Sequence, residues 1–285
     1  MLATPSTPVA LLRASPLPSL EARILLTHVL GWRPTQLITR GDEPMDEADV
    51  ERFRTLEARR VAGEPVAQLV GAREFFGLDF DVTPDVLIPR PETELLVETA
   101  LSAMDGLSRP RLLDLGTGTG AIAVAIASMR PDARVWALDR STQALAVATR
   151  NAARLLDAKR PGGAVTLMQS DWYASLDATL RFEVIVSNPP YIASGDPHLA
   201  EGDLRFEPRG ALTDEADGLS AIREIVAGAP TRLVPKGVLW IEHGYDQSAA
   251  VRELLVAQGF TQVRSERDLA GIERISGGVW AAGNS

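Results

Sequence analysis

A glycine-rich segment near the middle of the chain combines a carboxylate with backbone that can approach a ligand closely. It reads Asp114-Leu115-Gly116-Thr117-Gly118-Thr119-Gly120. Glycines permit a tight turn, and the free N–H groups at the start of a following helix attract polar ligand groups. The spacing is G-x-G-x-G after an aspartate, which is neither the dinucleotide pattern G-x-G-x-x-G nor a triphosphate pattern ending in G-K-[ST]. A carboxylate here suits a cationic ligand group, such as the ammonium of an amino-acid moiety.

Further polar and aromatic residues follow the next two apolar runs. Asp139 lies 19 residues beyond Gly120, where an acid commonly accepts hydrogen bonds from both ribose hydroxyls of an adenosine cofactor. Asp171 can read an adenine amino group, and the indole of Trp172 can stack on the adenine ring. Together with the glycine loop, these residues supply partners for an amino acid, a ribose and an adenine. That combination predicts a site for S-adenosyl-L-methionine, with S-adenosyl-L-homocysteine as product.

A second candidate site reads Asn188-Pro189-Pro190-Tyr191 and follows an apolar run. A planar amide or aromatic amine is a poor nucleophile because its lone pair is delocalised. If the Asn188 side-chain oxygen and the Pro189 carbonyl accept hydrogen bonds from the two N–H groups of the substrate nitrogen, its lone pair turns toward an incoming methyl group. Prolines hold that backbone rigid, and Tyr191 can lie against the planar substrate group. The motif therefore predicts methyl transfer to a planar nitrogen, with the same acceptors stabilising the developing positive charge.

These motifs lie where apolar strand patterns alternate with helix patterns. Strands are predicted over 111–115, 135–139, 165–169, 182–187 and 237–242. Helices are predicted over 121–129, over 142–156 after an N-cap at Ser141, and over 247–257. Such alternation indicates an α/β fold, a parallel sheet with helices on both faces. Ligands of these sheets bind at the carboxyl ends of the strands, and both motifs follow strands directly.

The N-terminal region has a different pattern. Over residues 19–72, helices are predicted to begin at the N-caps Ser19 and Asp46 and at Pro34. There is no strand pattern in this stretch, so it indicates a small helical bundle.

A short segment connects this region to the alternating part of the chain. Apolar residues alternate with Asp or Gly over 77–82, and a second apolar run, Val86–Ile88, follows a Pro-Asp turn. We predict that these two runs pair as a β-hairpin that links two domains. Arg90 and Glu92 follow directly, and they either line a site or pair with each other.

Composition and charge narrow the class of protein. The chain of 285 residues has 29 Lys and Arg against 38 Asp and Glu, a net charge of −9, and no cysteine. The acidic balance disfavours a protein that grips nucleic-acid phosphate non-specifically, and the cysteine count excludes disulfides and thiolate metal sites. We predict no metal site. There is no signal-peptide pattern and no apolar run near the ~18 residues of a membrane span, so we expect a cytoplasmic protein.

Several segments together resemble the protein-glutamine methyltransferases that modify peptide-chain release factors, the HemK/PrmC family. The resemblance covers nearly the whole chain. The matching segments are Glu74–Gly77, Val86–Glu94, Asp114–Gly120, Ser187–Ile192, Glu207-Pro208 with Ala211-Leu212, and Asp268–Gly271. The stretch Leu-Ile-Pro-Arg-Pro-Glu-Thr-Glu at 87–94 discriminates best, since Asn-Pro-Pro-Tyr is shared with DNA adenine and RNA guanine methyltransferases.

The resemblance implies a Rossmann-like class I S-adenosylmethionine-dependent methyltransferase sheet, with a small all-α N-terminal domain joined by a β-hairpin. Residues 1–72 would form the helical substrate-recognition domain, 73–90 the hairpin linker and 91–285 the methyltransferase domain. The implied reaction methylates the side-chain amide of the glutamine in the Gly-Gly-Gln motif of release factors and modulates translation termination. The implied protein is a monomer without a direct nucleic-acid substrate.

Residue chemistry and the resemblance together assign the two sites. The residues expected to bind the cofactor are Asp114, Gly116, Thr117, Gly118, Thr119, Gly120, Asp139, Asp171, Trp172 and Asn188. The residues expected to bind the glutamine are Asn188, Pro189, Pro190 and Tyr191. Among the latter, Asn188, Pro189 and Tyr191 are expected to be catalytic.

Two alternatives use the same motifs. A DNA or RNA base amino-methyltransferase would carry Asn-Pro-Pro-Tyr as well, but the net charge and the absence of a basic cluster disfavour it. A binding module that kept the fold without turnover is disfavoured because both motifs are intact.

Overall fold

The computed structural model describes residues 6–281 of the chain. Within that range the chain forms two compact units. The first contains the residues up to Ala72 together with Glu201–Phe206, and the second contains Arg73–Ala200 and the residues from Glu207 onward. No helix in the described range is long and apolar enough to cross a membrane.

The first unit is a helical bundle. Its helices are α1 (Pro8–Ala14), α2 (Ser19–Leu30), α3 (Pro34–Thr39), α4 (Glu47–Val61) and α5 (Val66–Val70). They share one apolar core, formed by Leu11, Leu25, Leu26, Leu37, Phe53 and Leu69. The segment 201–206 belongs to this unit through polar bonds: Asp203 accepts one from Arg60 at 3.0 Å, and the Phe206 carbonyl accepts one from Gln68 at 3.0 Å.

Helix starts in the bundle agree only partly with the predictions. The prediction that Ser19 caps α2 is wrong, because the helix begins at Ser19 and Pro18 holds the N-cap position. Asp46 is the N-cap residue of α4 as predicted, although its side chain makes no capping bond. The first helix was not predicted; the Thr7 side chain caps it by accepting a hydrogen bond from the Ala10 N–H.

A two-stranded hairpin consists of β1 (Ala72–Phe75) and β2 (Leu78–Asp81). Phe76 and Gly77 between the strands have φ values of 52° and 75°. Two successive positive φ values are what a two-residue type I′ turn requires, and that turn pairs β2 with the residues just before it. The predicted pairing with Val86–Ile88 is therefore wrong, and that run is irregular chain.

The second unit is built on a seven-stranded sheet. Its strands are β3 (Arg111–Leu115), β4 (Arg134–Asp139), β5 (Thr166–Gln169), β6 (Phe182–Ser187), β7 (Leu233–Glu242), β8 (Phe260–Arg267) and β9 (Glu273–Trp280). They lie in the order β5-β4-β3-β6-β7-β9-β8. Neighbours from β5 to β7 pair in parallel, as predicted.

The far edge of the sheet adds antiparallel strands to the predicted parallel ones. Strand β9 runs antiparallel to both β7 and β8. Glycines obscure its strand pattern, and one of them is required by packing. A Cβ atom at Gly277 would lie 2.4 Å from the Leu239 carbonyl oxygen and 2.4 Å from the Trp240 ring.

Helices cover both faces of this sheet. They are α6 (Glu94–Ala103), α7 (Ala121–Met129), α8 (Thr142–Leu155), α9 (Arg209–Leu212), α10 (Ser220–Gly228) and α11 (Ser248–Gln258). Short 3₁₀ turns occupy Pro91–Thr93, Pro197–Ala200, Gly202–Phe206 and Ala229–Thr231, the third within the first unit. Leu112 and Leu113, adjacent in β3, belong to different apolar clusters. Alternate residues of a strand face opposite sides, so a core lies on each face as predicted.

The strand order places a crevice between β3 and β6. Strands β4 and β5 lie on one side of β3, whereas β6 and β7 lie on the other. Ligands of open α/β sheets bind where the strand order reverses in this way. The glycine loop follows β3 and Asn188 follows β6, so the fold brings both predicted motifs to this crevice.

Candidate functional site

The glycine loop after β3 is shaped by backbone conformation. Gly116, Gly118 and Gly120 have φ values of 72°, 55° and 82°, a region that side-chain-bearing residues rarely adopt. The N–H of Gly116 donates to the Leu138 carbonyl at 2.8 Å, which ties the loop to β4. Gly120 is the N-cap residue of α7, and a Cβ there would lie 3.2 Å from that of Ala148. Gly120 therefore allows α7 and α8 to pack closely.

Gly116 leaves a space that a side chain would fill. A Cβ at this position would lie 3.7 Å from the Trp172 indole and 4.0 Å from the Asn188 carbonyl oxygen. The backbone of the loop thus forms one wall of a cradle between an aromatic ring and the Asn-Pro-Pro-Tyr motif.

Asp114 lies beneath the loop and is fully buried. Its Oδ2 accepts a hydrogen bond from the Thr117 hydroxyl at 2.7 Å, whereas Oδ1 has no hydrogen-bond partner in the described range. Burial raises the pKa of Asp114 to about 7, against the lowering by Thr117; the charge of Asp139 adds to the rise. The Ala123 backbone also lowers this pKa, although it makes no hydrogen bond of normal geometry to Asp114 Oδ1. A cation nearby would stabilise the charged form of this carboxyl.

Asp139, at the end of β4, is held by backbone donors. Its Oδ2 accepts from the Gly118 N–H at 2.9 Å, and its Oδ1 accepts from the Ser141 N–H at 2.9 Å. A carboxylate offers about four lone-pair sites, so each oxygen keeps capacity for one more donor. Ser141 in turn caps α8 as predicted, since its hydroxyl accepts from the Ala144 N–H at 3.1 Å.

Trp172 follows β5 in a strained conformation. Its φ is 45°, which is uncommon for a large residue. The Ser170 hydroxyl stabilises this turn by donating to the Trp172 carbonyl at 2.8 Å and accepting from the Ser175 N–H at 3.0 Å. Backbone strain of this kind often occurs where a side chain must be presented to a ligand.

Asn188 leaves β6 with its side chain already engaged. Its Nδ2 donates to the Thr93 hydroxyl at 3.2 Å. The preceding residue, Ser187, donates from Oγ to the Leu115 carbonyl at 2.8 Å, which ties the motif to the start of the glycine loop. The Asn188 oxygen therefore remains available as an acceptor.

Tyr191 is anchored through its backbone. Its carbonyl accepts from the Gln247 side-chain amide at 3.0 Å, and a Cβ at Gly218 would lie 2.5 Å from this carbonyl, so only glycine fits there. The ring is partly exposed, while burial around the hydroxyl raises the pKa of Tyr191. The hydroxyl therefore stays protonated and acts as a donor.

Arg90 lines the cavity at these strand ends, as one of the two alternatives predicted, and it pairs with a distant residue. The Arg90 guanidinium forms an ion pair with the buried carboxylate of Glu207, not with Glu92. Glu207 also accepts from the Ile88 N–H at 2.8 Å. Two segments 117 residues apart are thereby joined at the site.

A cavity of about 230 Å³ lies at these strand ends. The predicted residues that line it are Gly116, Thr117, Gly118, Thr119, Asp139, Asp171, Trp172, Asn188 and Pro190. Those that do not are Asp114, Gly120, Pro189 and Tyr191, each within two positions of a lining residue in the chain. No cluster of His, Cys, Asp or Glu in the described range could hold a metal ion.

Sequence reasoning missed part of the cavity wall. Residues that it did not assign to the site include Val86, Leu87, Thr93, Ile122, Leu138, Arg140, Ser141, Pro208, Gly210 and Ala211. Several lie in segments quoted for the family resemblance, Val86–Glu94 and Glu207-Pro208 with Ala211. Arg140 follows Asp139 directly, but nothing in the sequence predicts that its guanidinium donates to the Gly210 carbonyl at 3.4 Å.

Two family models match the chain. One is described as the PrmC N-terminal domain and matches residues 9–71. The other is described as the methyltransferase small domain and matches residues 91–201. A solved methyltransferase from Pyrococcus furiosus is 20% identical with a TM-score of 0.52, over 80% of this chain and all of that one, and shows the fold alone.

Relatives resemble the chain along nearly its entire length. The release factor glutamine methyltransferase of Burkholderia pseudomallei is 70% identical over 275 residues, 96% of each protein. That of Bordetella pertussis is 57% identical over 262 residues, 92% of this chain and 95% of the relative. With this identity and coverage, the chain belongs to the release factor glutamine methyltransferase family.

Proposed function

We propose that this chain transfers a methyl group from S-adenosyl-L-methionine to the side-chain amide nitrogen of the glutamine in the Gly-Gly-Gln motif of peptide-chain release factors. The observation that carries this proposal is the position of Asn188, whose carbonyl lies 4.0 Å from the Cβ site of Gly116. The Asn-Pro-Pro-Tyr motif thus borders the wall of the cavity of about 230 Å³. Full-length relatives named for this reaction support the same substrate.

The residues present suit S-adenosyl-L-methionine, which supplies an electrophilic methyl group on a sulfonium. The buried carboxyl of Asp114, with one oxygen unpartnered in the described range, favours an ammonium at the loop. Asp139 retains acceptor capacity for two ribose hydroxyls. Trp172 offers a ring face for adenine, and Asp171 offers an acceptor for its amino group.

Asn188 and Pro189 orient the substrate nitrogen. Their oxygens accept the two N–H bonds of the glutamine amide, which directs the nitrogen lone pair at the methyl carbon. Methyl transfer would form the N–C bond as the S–C bond of the bound S-adenosyl-L-methionine breaks, with the electron pair staying on the sulfur. The same two oxygens stabilise positive charge on nitrogen until its extra proton leaves to solvent. Tyr191 and Pro190 confine the planar amide.

The family resemblance also assigns a role to each segment of the chain. We assign residues 1–72 to recognition of the release factor, 73–90 to the linker and 91–285 to catalysis; residues 1–5 and 282–285 lie outside the described range. The enzyme acts as a monomer, in the cytoplasm where its substrate works, and has no direct nucleic-acid substrate. The net charge of −9 fits a protein substrate better than a phosphate backbone.

A labelling assay tests the proposed function. The chain is incubated with methyl-labelled S-adenosyl-L-methionine and a release factor, a Gly-Gly-Ala variant of that release factor, DNA or RNA. We expect label only in the release factor that keeps the Gly-Gly-Gln glutamine, and mass spectrometry should locate it on that side chain. Label in DNA or RNA without label in the glutamine would replace this function with base methylation.

Replacing Gly116 with alanine tests the cradle. The added Cβ occupies the space between Trp172 and Asn188, and a positive φ costs an L-residue roughly 1–2 kcal/mol. We expect the Kd for S-adenosyl-L-methionine, measured by calorimetry, to rise at least about tenfold. Gly106→Ala is the matched control, since Gly106 also has a positive φ of 75° but does not line the cavity. Equal affinities in the two variants would remove Gly116 from the cofactor site.

A further inference from the structure

A buried carboxyl group lies beside Asn188 and has no part in the reaction as described above. It belongs to Glu242, the last residue of β7, which is 2% exposed. In the parallel pairing of β6 with β7, Ser187 is opposite Ile241, so the next residues, Asn188 and Glu242, are also neighbours. The Oε2 atom of Glu242 has no hydrogen-bond partner in the described range.

Thr93 connects this carboxyl to Asn188. Its hydroxyl accepts the hydrogen bond from Asn188 Nδ2 at 3.2 Å and lies near enough to the Glu242 carboxyl to lower the pKa of that group. The Tyr191 hydroxyl lowers the same pKa. Residues from three segments of the chain thus converge on one buried carboxylate.

The charge of Glu242 sets the direction in which the Thr93 hydroxyl points. An ionised carboxylate attracts the single proton of the neighbouring Thr93 hydroxyl and offers it only acceptor oxygens. The Thr93 oxygen can then only accept from Asn188. The amide group of Asn188 must therefore turn its N–H toward Thr93, which leaves its oxygen for the substrate.

Resting on the function proposed above, we propose that Thr93 and Glu242 are positioning residues that hold the Asn188 side-chain oxygen toward the glutamine amide. Neither touches the reacting atoms. Ionised Glu242 orients the Thr93 hydroxyl, and Thr93 orients Asn188. Without this polarity Asn188 can present its NH2 group, which cannot accept the substrate N–H.

The charge state of Glu242 makes this device sensitive to pH. Burial raises the pKa of Glu242 to about 7, and the Thr93 and Tyr191 hydroxyls oppose that rise. Two further charged groups act on it, the Glu92 carboxylate, which raises this pKa, and the Arg274 guanidinium, which lowers it. The adjacent His243 is bonded instead to Ser276 at 2.8 Å and to the Gly244 carbonyl at 2.9 Å. A protonated Glu242 can donate to Thr93 and reverse the direction of the Thr93 hydroxyl, so kcat falls as pH drops below about 7.

Three near-isosteric variants test the proposal by their kinetics. Thr93→Val removes the hydroxyl, Thr93→Ser keeps it, and Glu242→Gln removes the charge. At saturating S-adenosyl-L-methionine and pH 8, we expect kcat to fall on the order of 10- to 100-fold in Thr93→Val and Glu242→Gln, since a small misplacement of a reacting group has effects of this size. Thr93→Ser should stay within about threefold of wild type, and Glu242→Gln should lose the acid limb near pH 7.

A second readout needs no turnover. The chain has only three asparagines, at 151, 188 and 284, so labelling with ¹⁵N-asparagine gives three side-chain NH2 signals. The Asn188 signal is assigned by its loss in Asn188→Ala. We expect it to titrate near pH 7 in the wild type and in Asp114→Asn, where the other carboxyl of similar pKa is removed. It should not titrate near pH 7 in Glu242→Gln.

The outcomes separate this inference from the proposed function. A wild-type enzyme that fails to label the glutamine refutes the function itself. An active wild type with unchanged kcat in Thr93→Val, or an Asn188 signal that titrates equally in Glu242→Gln, overturns the positioning role. Loss of activity in Thr93→Ser as large as in Thr93→Val would also overturn it, because packing and not the hydroxyl would then be at work.

Discussion

Replacing Asn188 with alanine is expected to lower kcat by a factor on the order of 1000, while the affinity for S-adenosyl-L-methionine changes by less than about threefold. The side-chain oxygen is one of two acceptors that orient and stabilise the substrate nitrogen, and loss of such a group costs about 100- to 1000-fold or more. The cofactor cradle depends on the Asn188 carbonyl, which alanine retains. Single-turnover rates and calorimetric Kd values measure the two effects separately.

Asn188→Asp provides the matched variant. It keeps an oxygen at the site but loses the N–H that donates to Thr93, so we expect an intermediate rate. Thermal unfolding of both variants checks that the fold is retained. A kcat for Asn188→Ala within tenfold of wild type would contradict the orientation mechanism.

Replacing Asp139 with alanine should have the second-largest effect, this time on the cofactor. We expect the Kd for S-adenosyl-L-methionine to rise about 100-fold or more, because hydrogen bonds to a charged group contribute roughly 1.5–3 kcal/mol each. The substitution also frees the Gly118 N–H, which Asp139 holds at 2.9 Å, and so loosens the glycine loop. Calorimetry with S-adenosyl-L-methionine and with its demethylated product measures the loss.

The control is an aspartate at the opposite end of the same strand. Asp132 precedes β4, pairs with Arg130 and does not line the cavity. Asp132→Ala removes a carboxylate near the same element, and its effect should be confined to stability. If both variants bind the cofactor as tightly as wild type, Asp139 does not bind the ribose.

Local signals account for what the sequence predicted well. Short apolar runs predicted β3 and β6. Ser141 predicted the start of α8, because its capping bond is made to a residue only three positions away. The glycine loop and the Asn-Pro-Pro-Tyr motif were placed correctly because each follows such a strand, and parallel strands end at the same edge. The site residues themselves remain assigned by chemistry and resemblance.

Features that depend on distant pairing were not predictable in this way. The ion pair of Arg90 with Glu207 joins segments 117 residues apart. The bond between Asn188 and Thr93 spans 95 residues, and Glu242 joins it only through the register of β7 beside β6. The hairpin prediction was wrong for a local reason. Phe76 is an uncommon residue at a positive φ, so only Gly77 of the two turn residues was typical of a type I′ turn.

The two buried carboxyl groups also couple folding to proton uptake. The pKa values of Asp114 and Glu242 rise to about 7 from ordinary values of 3.8 and 4.5, so the folded chain holds protons that the unfolded chain releases between about pH 4 and 7. The free energy of unfolding therefore falls as pH rises through this range, by roughly 3–4 kcal/mol for each group. At alkaline pH, where Glu242 is ionised and orients Asn188, the fold bears the full cost of both charges. Uncharged side chains at positions 114 and 242 therefore favour thermal stability, whereas the carboxylates favour turnover.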